Sequence, residues 1–250
     1  MIVIKLGGNV LEKVDELAGA IRDVGDVVVV HGGGPVISEV MERMGLEPRF
    51  VKGLRVTDEN TLEVVLMTLA GLVNKRLVAG LIGAGIKAVG ISGADGPILV
   101  VEKRTEVVDG EEVDLGLVGD PVEVRIDPLV SLLDSGYVPV LAPLGVDREG
   151  TLYNVNADTA AGAVASALDA DEVVFVTDVP GVLEDVDDPS SVIDEITVDD
   201  FEKLVEEGVV KGGMIPKVEA AIRAVEMGCV RARITNLDGL REGKGTVVRA

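Results

Sequence analysis

Lysine is costly inside an apolar strand, yet Lys5 stands within the run Met1–Leu6, just before Gly7-Gly8. A charge so placed needs a partner at the strand end. A second lysine, Lys217, falls in the first turns of a helical pattern after Gly212-Gly213, in KGGMIPKVEAA; a lone lysine there is ordinarily a solvated surface residue. In YNVNAD, Asn154 and Asn156 alternate along an extended segment and share one side. Asp158 then precedes an Ala-rich helix, where it can cap the N-terminus or hold lysines in place. Arg55, in KGLRVTD, offers a planar fork to a carboxylate or serves a surface ion pair. Gly32-Gly33-Gly34 follow VVVVH, and Pro35 fits the first helical position behind them. Such a loop can present N–H groups to an anion, although a tight strand-to-helix turn needs glycine too. Cations, backbone donors and amides, with no evident general base, suit the binding of anions.

The elements that must position these residues follow from periodicity. Val/Ile-rich runs at 1–6, 27–30, 88–91, 138–141 and 173–176 suit strands buried on both faces of a parallel sheet. Helical spacing joins Leu11, Val14, Leu17, Ala18, Ile21 and Val24, then a longer segment over about 58–82, then 157–168 and 214–227. Strand and helix alternate, as in βα units. The segment from Ile98 to Gly119 breaks the alternation and reads as a hairpin turning at Asp109-Gly110. The acidic stretch 184–200 reads as surface loop. Three glycine loops, after the first, second and third of these runs, should lie on the carboxyl edge of the sheet and feed helices, where ligands bind in open α/β sheets. Neither a GxxxxGK[ST] loop nor a strand-linked GxGxxG fingerprint is present.

Composition narrows the partners. The 250 residues are 47% hydrophobic but only 2% aromatic, so the core must be aliphatic. The net charge of −21 disfavours nucleic acid and anionic membranes. No uninterrupted apolar run reaches the ~20 residues of a bilayer span, and the opening residues read as a strand rather than a signal peptide. A lone cysteine, Cys229, offers neither an internal disulfide nor a metal cluster. A cytoplasmic enzyme is the expectation.

Ten segments in order, IKLGGNVL, VVHGGGP, VKGLRVTDENTLEVV, AGLVNKRLV, GISGADG, LGLVGDP, LYNVNADTAAGAVA, VTDVPGVL, GGMIPKVEAA and GKGTVV, span nearly the whole chain. Together they resemble the amino acid kinase family, and within it the enzymes that phosphorylate N-acetyl-L-glutamate. The resemblance implies a single domain, a three-layer αβα sandwich with a central, mainly parallel eight-stranded sheet. It implies an acyl-amino-acid lobe at about 1–170 and a nucleotide lobe at about 171–250, with ATP and Mg²⁺ as cofactors and no protein metal centre. By position, Lys5 and Lys217 would stabilise the migrating phosphoryl group and Asp158 would organise them. Gly33, Gly34, Arg55 and Asn154 would bind the acceptor, with Asn156 nearby. Gly8 would contact phosphate, and Asp178, Val179, Pro180, Gly181, Val182, Leu183, Val209, Val210 and Lys211 would line the ATP site. His31 then reads as a packing or hydrogen-bonding residue.

Two relatives compete. One phosphorylates aminoadipate or glutamate on an acidic carrier protein, which the −21 charge would repel. The other is a non-catalytic sensor on the same fold, disfavoured by the presence of Lys5, Lys217 and Asp158. Arginine-sensitive members carry a helix before the first strand. With that strand starting at Met1, the expectation is an arginine-insensitive homodimer joined partly through 58–82.

Overall fold

A computed structural model of the chain describes residues 1–7, 13–108, 110–185 and 187–250. Strand β1 (Ile2–Leu6), helix α1 (Val14–Val24), strand β2 (Val27–His31) and helix α2 (Gly34–Arg43) open the fold. A small hairpin follows, β3 (Phe50–Val51) and β4 (Leu54–Arg55). Next comes one long helical rod: α3 (Glu59–Leu66), a π-helical segment (Met67–Val73) and α4 (Asn74–Gly83). Strand β5 (Ala88–Ser92) leads to the antiparallel pair β6 (Leu99–Val108) and β7 (Glu111–Val124), then α5 (Asp127–Asp134), β8 (Val138–Ala142), β9 (Leu144–Val146) and β10 (Leu152–Val155). The remainder is α6 (Ala157–Ala167), β11 (Glu172–Val176), β12 (Glu195–Thr197), α7 (Phe201–Glu206), α8 (Ile215–Glu226), β13 (Ala232–Thr235), α9 (Leu237–Glu242) and β14 (Thr246–Arg249).

Eight strands form one sheet in the order β12-β14-β13-β11-β1-β2-β8-β5, parallel except for the antiparallel β13–β14 pair. The expected mainly parallel eight-stranded sheet is therefore present. Strand alternation assigns the two faces. Val3, Val28, Val30, Val173 and Phe175 bury on the side of α6 and α8. Ile4, Leu6, Val27, Val29, Val174 and Val176 bury on the side of α1, α4 and α9. Helices thus cover both faces, which is why the strands read as continuous apolar runs. A smaller cluster joins α2, α3 and the π segment through Ile37, Met41, Val64, Val65 and Leu69. Strands β6, β7, β9 and β10 close into a four-membered ring beside the main sheet.

Several expectations change. The glycine loop after β5 leads into the β6–β7 pair, not into a helix. The acidic stretch is not all loop: Glu195–Thr197 pairs with β14 at the sheet edge. Pro35 is the second helical residue, because α2 begins at Gly34. The rod Glu59–Gly83, 25 residues with a mean hydropathy of 1.6 in its most apolar window, is long and apolar enough to cross a membrane by length and composition. Scattered polar residues keep that stretch from being an unbroken apolar run. In the fold Leu62, Val65, Leu69, Leu77 and Leu81 are buried against the rest of the protein. Leu11 and Asp109, parts of an expected helix and turn, lie outside the described residues, as does Gly8.

Candidate active site

Strand parity explains why Lys5 finds a partner. It shares the face of Val3, towards α6, and its Nζ meets Asp158 Oδ1 at 2.8 Å. Asp158 is free for this because it does not cap the helix. Asn156 does: its Oδ1 accepts from the Asp158 and Thr159 N–H groups at 2.8 and 3.1 Å. The capping reading of Asp158 is thereby corrected, and Asn156 has one side-chain atom committed to structure. Asp158 sits in the first turn of α6, where a carboxylate also suits the helix dipole.

A cavity of about 220 Å³ opens beside this pair at the carboxyl edge of the sheet, and Lys5, Gly33, Gly34, Arg55, Asn154, Asn156 and Asp158 all border it. Side chains from β1, β4, β10 and α6 converge there with the loop between β2 and α2. Gly33 leaves room for a buried leucine behind the loop. A Cβ on it would stand 2.6 Å from Leu69 Cδ2, on the π segment packed behind the loop. Arg55 is 6% exposed. It donates to Gly34 O and Ser38 Oγ, each at 2.9 Å, and its guanidinium lies 4.7 Å from the centre of the Phe50 ring. Burial lowers its pKa from the usual value. These contacts fix the fork before any ligand arrives. Asn154 is tied to Thr57 Oγ1 at 3.2 Å.

Lys217 is half-buried near the start of α8. Burial first, and then the positive charge of Lys5, lower its pKa, while Asp178 and Asp158 oppose them. Two lysines and two aspartates therefore share one electrostatic cluster. A larger cleft of about 450 Å³ continues from Asn156 and Asp158 towards Lys52, Arg104, Glu106 and Arg223. The sequence reading missed Lys52 and Gly53, which turn the β3–β4 hairpin with φ of 46° and 79°. Their dipeptide is not an Asn-Gly type of signal.

The expected nucleotide segments divide. Asp178 is exposed at the end of β11, Val179 and Pro180 are half-buried, and Lys211 precedes the short turn into α8. Val182 and Val210 are in the core at 0% and 1% exposure, so their side chains line no cleft. Gly181 is buried, and Leu183 bridges to Val192. A cleft of about 570 Å³ at this edge is bordered by Pro180, Ser190, Asn236, Asp238, Lys244 and Gly245. Of these only Pro180 was anticipated. The signals for the rest were a polar Asn directly after β13 and the glycines flanking Lys244. Among the described residues, no group of three or more His, Cys, Asp or Glu is arranged to hold a metal.

Residues 1–236 match the amino acid kinase family. The chain belongs to that family. It is 64% identical, over all of both chains, to the acetylglutamate kinase of Methanopyrus kandleri. A solved structure of smu.665 from Streptococcus mutans superposes with a TM-score of 0.77 at 32% identity, covering 100% of this chain and 98% of that one. The N-acetylglutamate synthase of Neisseria gonorrhoeae, solved with coenzyme A and N-acetyl-glutamate, gives a TM-score of 0.81 at 25% identity, covering 100% of this chain and 59% of the synthase.

Proposed function

We propose that the protein transfers the γ-phosphoryl group of ATP to the side-chain carboxylate of N-acetyl-L-glutamate, giving N-acetylglutamyl 5-phosphate and ADP in arginine biosynthesis. The observation that carries this is the single pocket bordered by Lys5, Asp158, Arg55, Asn154 and the Gly33–Gly34 backbone, with Lys217 in the same charge cluster. Its likeness to a full-length acetylglutamate kinase supports the choice of acceptor.

The attacking oxygen belongs to a carboxylate, ionised at neutral pH, so no general base is required. It forms a bond to the γ-phosphorus as the bond from that phosphorus to the β–γ bridging oxygen breaks, and ADP carries away the electron pair. The protein's task is to align the two oxygens and to stabilise charge on the group passing between them. Lys5, oriented by Asp158, and Lys217 supply that charge. Gly33 and Gly34 offer N–H groups, Arg55 clamps the acceptor's other carboxylate, and Asn154 with Asn156 holds its polar atoms. The nucleotide lies against the exposed part of the two segments, Asp178–Pro180 and Lys211, with Gly8 at its phosphates. Residues of about 1–170 then serve the acyl amino acid and about 171–250 the nucleotide, within one domain. Mg²⁺ bound with ATP would take its oxygen ligands chiefly from phosphates and water and would supply charge neutralisation there; a site with few spare carboxylates suits that arrangement. The protein works in the cytoplasm as a homodimer, without nucleic acid or membrane partners.

The test is a steady-state assay of acyl phosphate formation, trapped with hydroxylamine, on free N-acetyl-L-glutamate and on the same acyl group linked to a carrier protein. Turnover of the free acceptor is expected. Turnover of the carrier-linked acceptor alone would replace this reading with the carrier-dependent one.

A further inference from the structure

The only histidine of the chain, His31, has no exposed surface. It ends β2 with the parity of Val27 and Val29, so its ring points towards α4, on the face opposite Lys5. Its partners determine its protonation. Asn74, also fully buried, receives a bond from Lys75 Nζ at its Oδ1, 2.9 Å away. Its Nδ2 must therefore face the other way, where it lies 3.1 Å from His31 Nε2 and 2.9 Å from Val140 O. Because Nδ2 is only a donor, Nε2 is an acceptor and the ring proton sits on Nδ1. Nδ1 is 2.9 Å from Gly32 O and donates to it. The niche is built for this amide: a Cβ at Gly90 would collide with Asn74 Oδ1.

The consequence falls on the glycine loop. Gly32 N–H is already committed to Leu6 O at 2.9 Å, and its carbonyl is turned to the His31 ring. In a planar trans peptide the next N–H points opposite to that carbonyl. Gly33 N–H is thus directed away from the buried ring, on the side where Gly32, Gly33 and Gly34 border the cavity. Among the described residues, it has no backbone acceptor. We infer that Asn74 and His31 form a buried relay that sets the Gly32–Gly33 peptide so that Gly33 N–H is presented to the acceptor's reacting end. His31 is then a positioning residue, and the inference rests on the phosphotransfer reading above.

Two measurements test it. With ¹⁵N-histidine the protein gives signals from one ring only, and a neutral Nδ1-protonated tautomer is expected. An Nε2-protonated ring would overturn the relay. Kinetically, Asn at position 31 places an amide where Nδ1 was, whereas Gln places one where Nε2 was. We expect His31→Gln and His31→Leu to lower kcat/KM for N-acetyl-L-glutamate by roughly 10- to 100-fold, with KM for ATP little changed, and His31→Asn to recover most of the loss. Equal activity in all three, or recovery by Gln rather than Asn, would sink the proposal. If the wild-type protein leaves acetylglutamate untouched, the function reading fails, while the tautomer still decides the relay.

Discussion

Individual side chains divide into those that carry charge to the reaction and those that hold the carriers still. In the proposed reaction Lys217 belongs to the first group. Lys217→Met should lower kcat by about 10²- to 10³-fold, the scale seen when one preorganised charge-stabilising donor is removed; turnover close to wild type would remove it from the mechanism. On the relay proposed above His31 belongs to the second group, and its burial gives a pH signature. Burial pushes its pKa down to about 4 from 6.5, so the folded protein resists a proton that the unfolded chain accepts. Stability is therefore full above pH 6.5 and falls as the pH drops towards 4. The loss amounts to about 3 kcal/mol when the window is crossed. Urea melts at pH 7.5, 5.5 and 4 should show it, and His31→Leu should flatten that part of the profile. Lys5 was legible in the sequence because a charge in an apolar strand demands a reason. Asn74 was not, since a polar residue on a long helix looks exposed until the strands packed on it are known.

Elements decide which of these residues meet. Lys5 and Asp158 stand 153 positions apart in the chain, and the parity of β1 and the first turn of α6 bring them together. That turn depends on the Asn156 cap. Asn156→Ala should cost about 1 kcal/mol of unfolding free energy and should also reduce kcat, because Asp158 rides on the same turn. Loss of stability without loss of turnover would mean that Asp158 is held by Lys5 alone. The sequence indicated a cap near this point but suggested the wrong residue, because Asn and Asp are both good caps and only the backbone shows which one precedes the helix. The rod Glu59–Gly83 was foreseen in extent. Its π segment was not, and that segment is what brings Leu69 against Gly33.

At the scale of the whole molecule, one sheet carries both halves of the proposed site, with β11 of the nucleotide half paired directly to β1 of the acceptor half. The rod also leaves Met67 and Ile82 more than half exposed, at 54% and 56%. In the homodimer reading these side chains fall in or beside the interface. Light scattering should give twice the chain mass of 26.0 kDa, and Ile82→Glu or Met67→Glu should shift it towards the monomer. A monomeric wild-type protein would refute the dimer, and an arginine-inhibited hexamer would refute the regulatory expectation with it.

The sequence by itself determined the αβ layering, since apolar runs alternating with amphipathic helices leave a two-sided sheet as the way to bury both. It also picked out the glycine loops and Lys5, whose residue types are costly anywhere else. Through family resemblance it supplied Arg55, Asn154, Asp158 and Lys217 as a set. Only the tertiary structure decided that Asn156 is the cap, that Val182 and Val210 belong to the core, and that Asn236 and Lys244 border a cleft. It alone revealed Asn74 as the partner of His31 behind the glycines. These are contacts between residues distant in the chain, and local sequence carries no record of which buried polar group another will face.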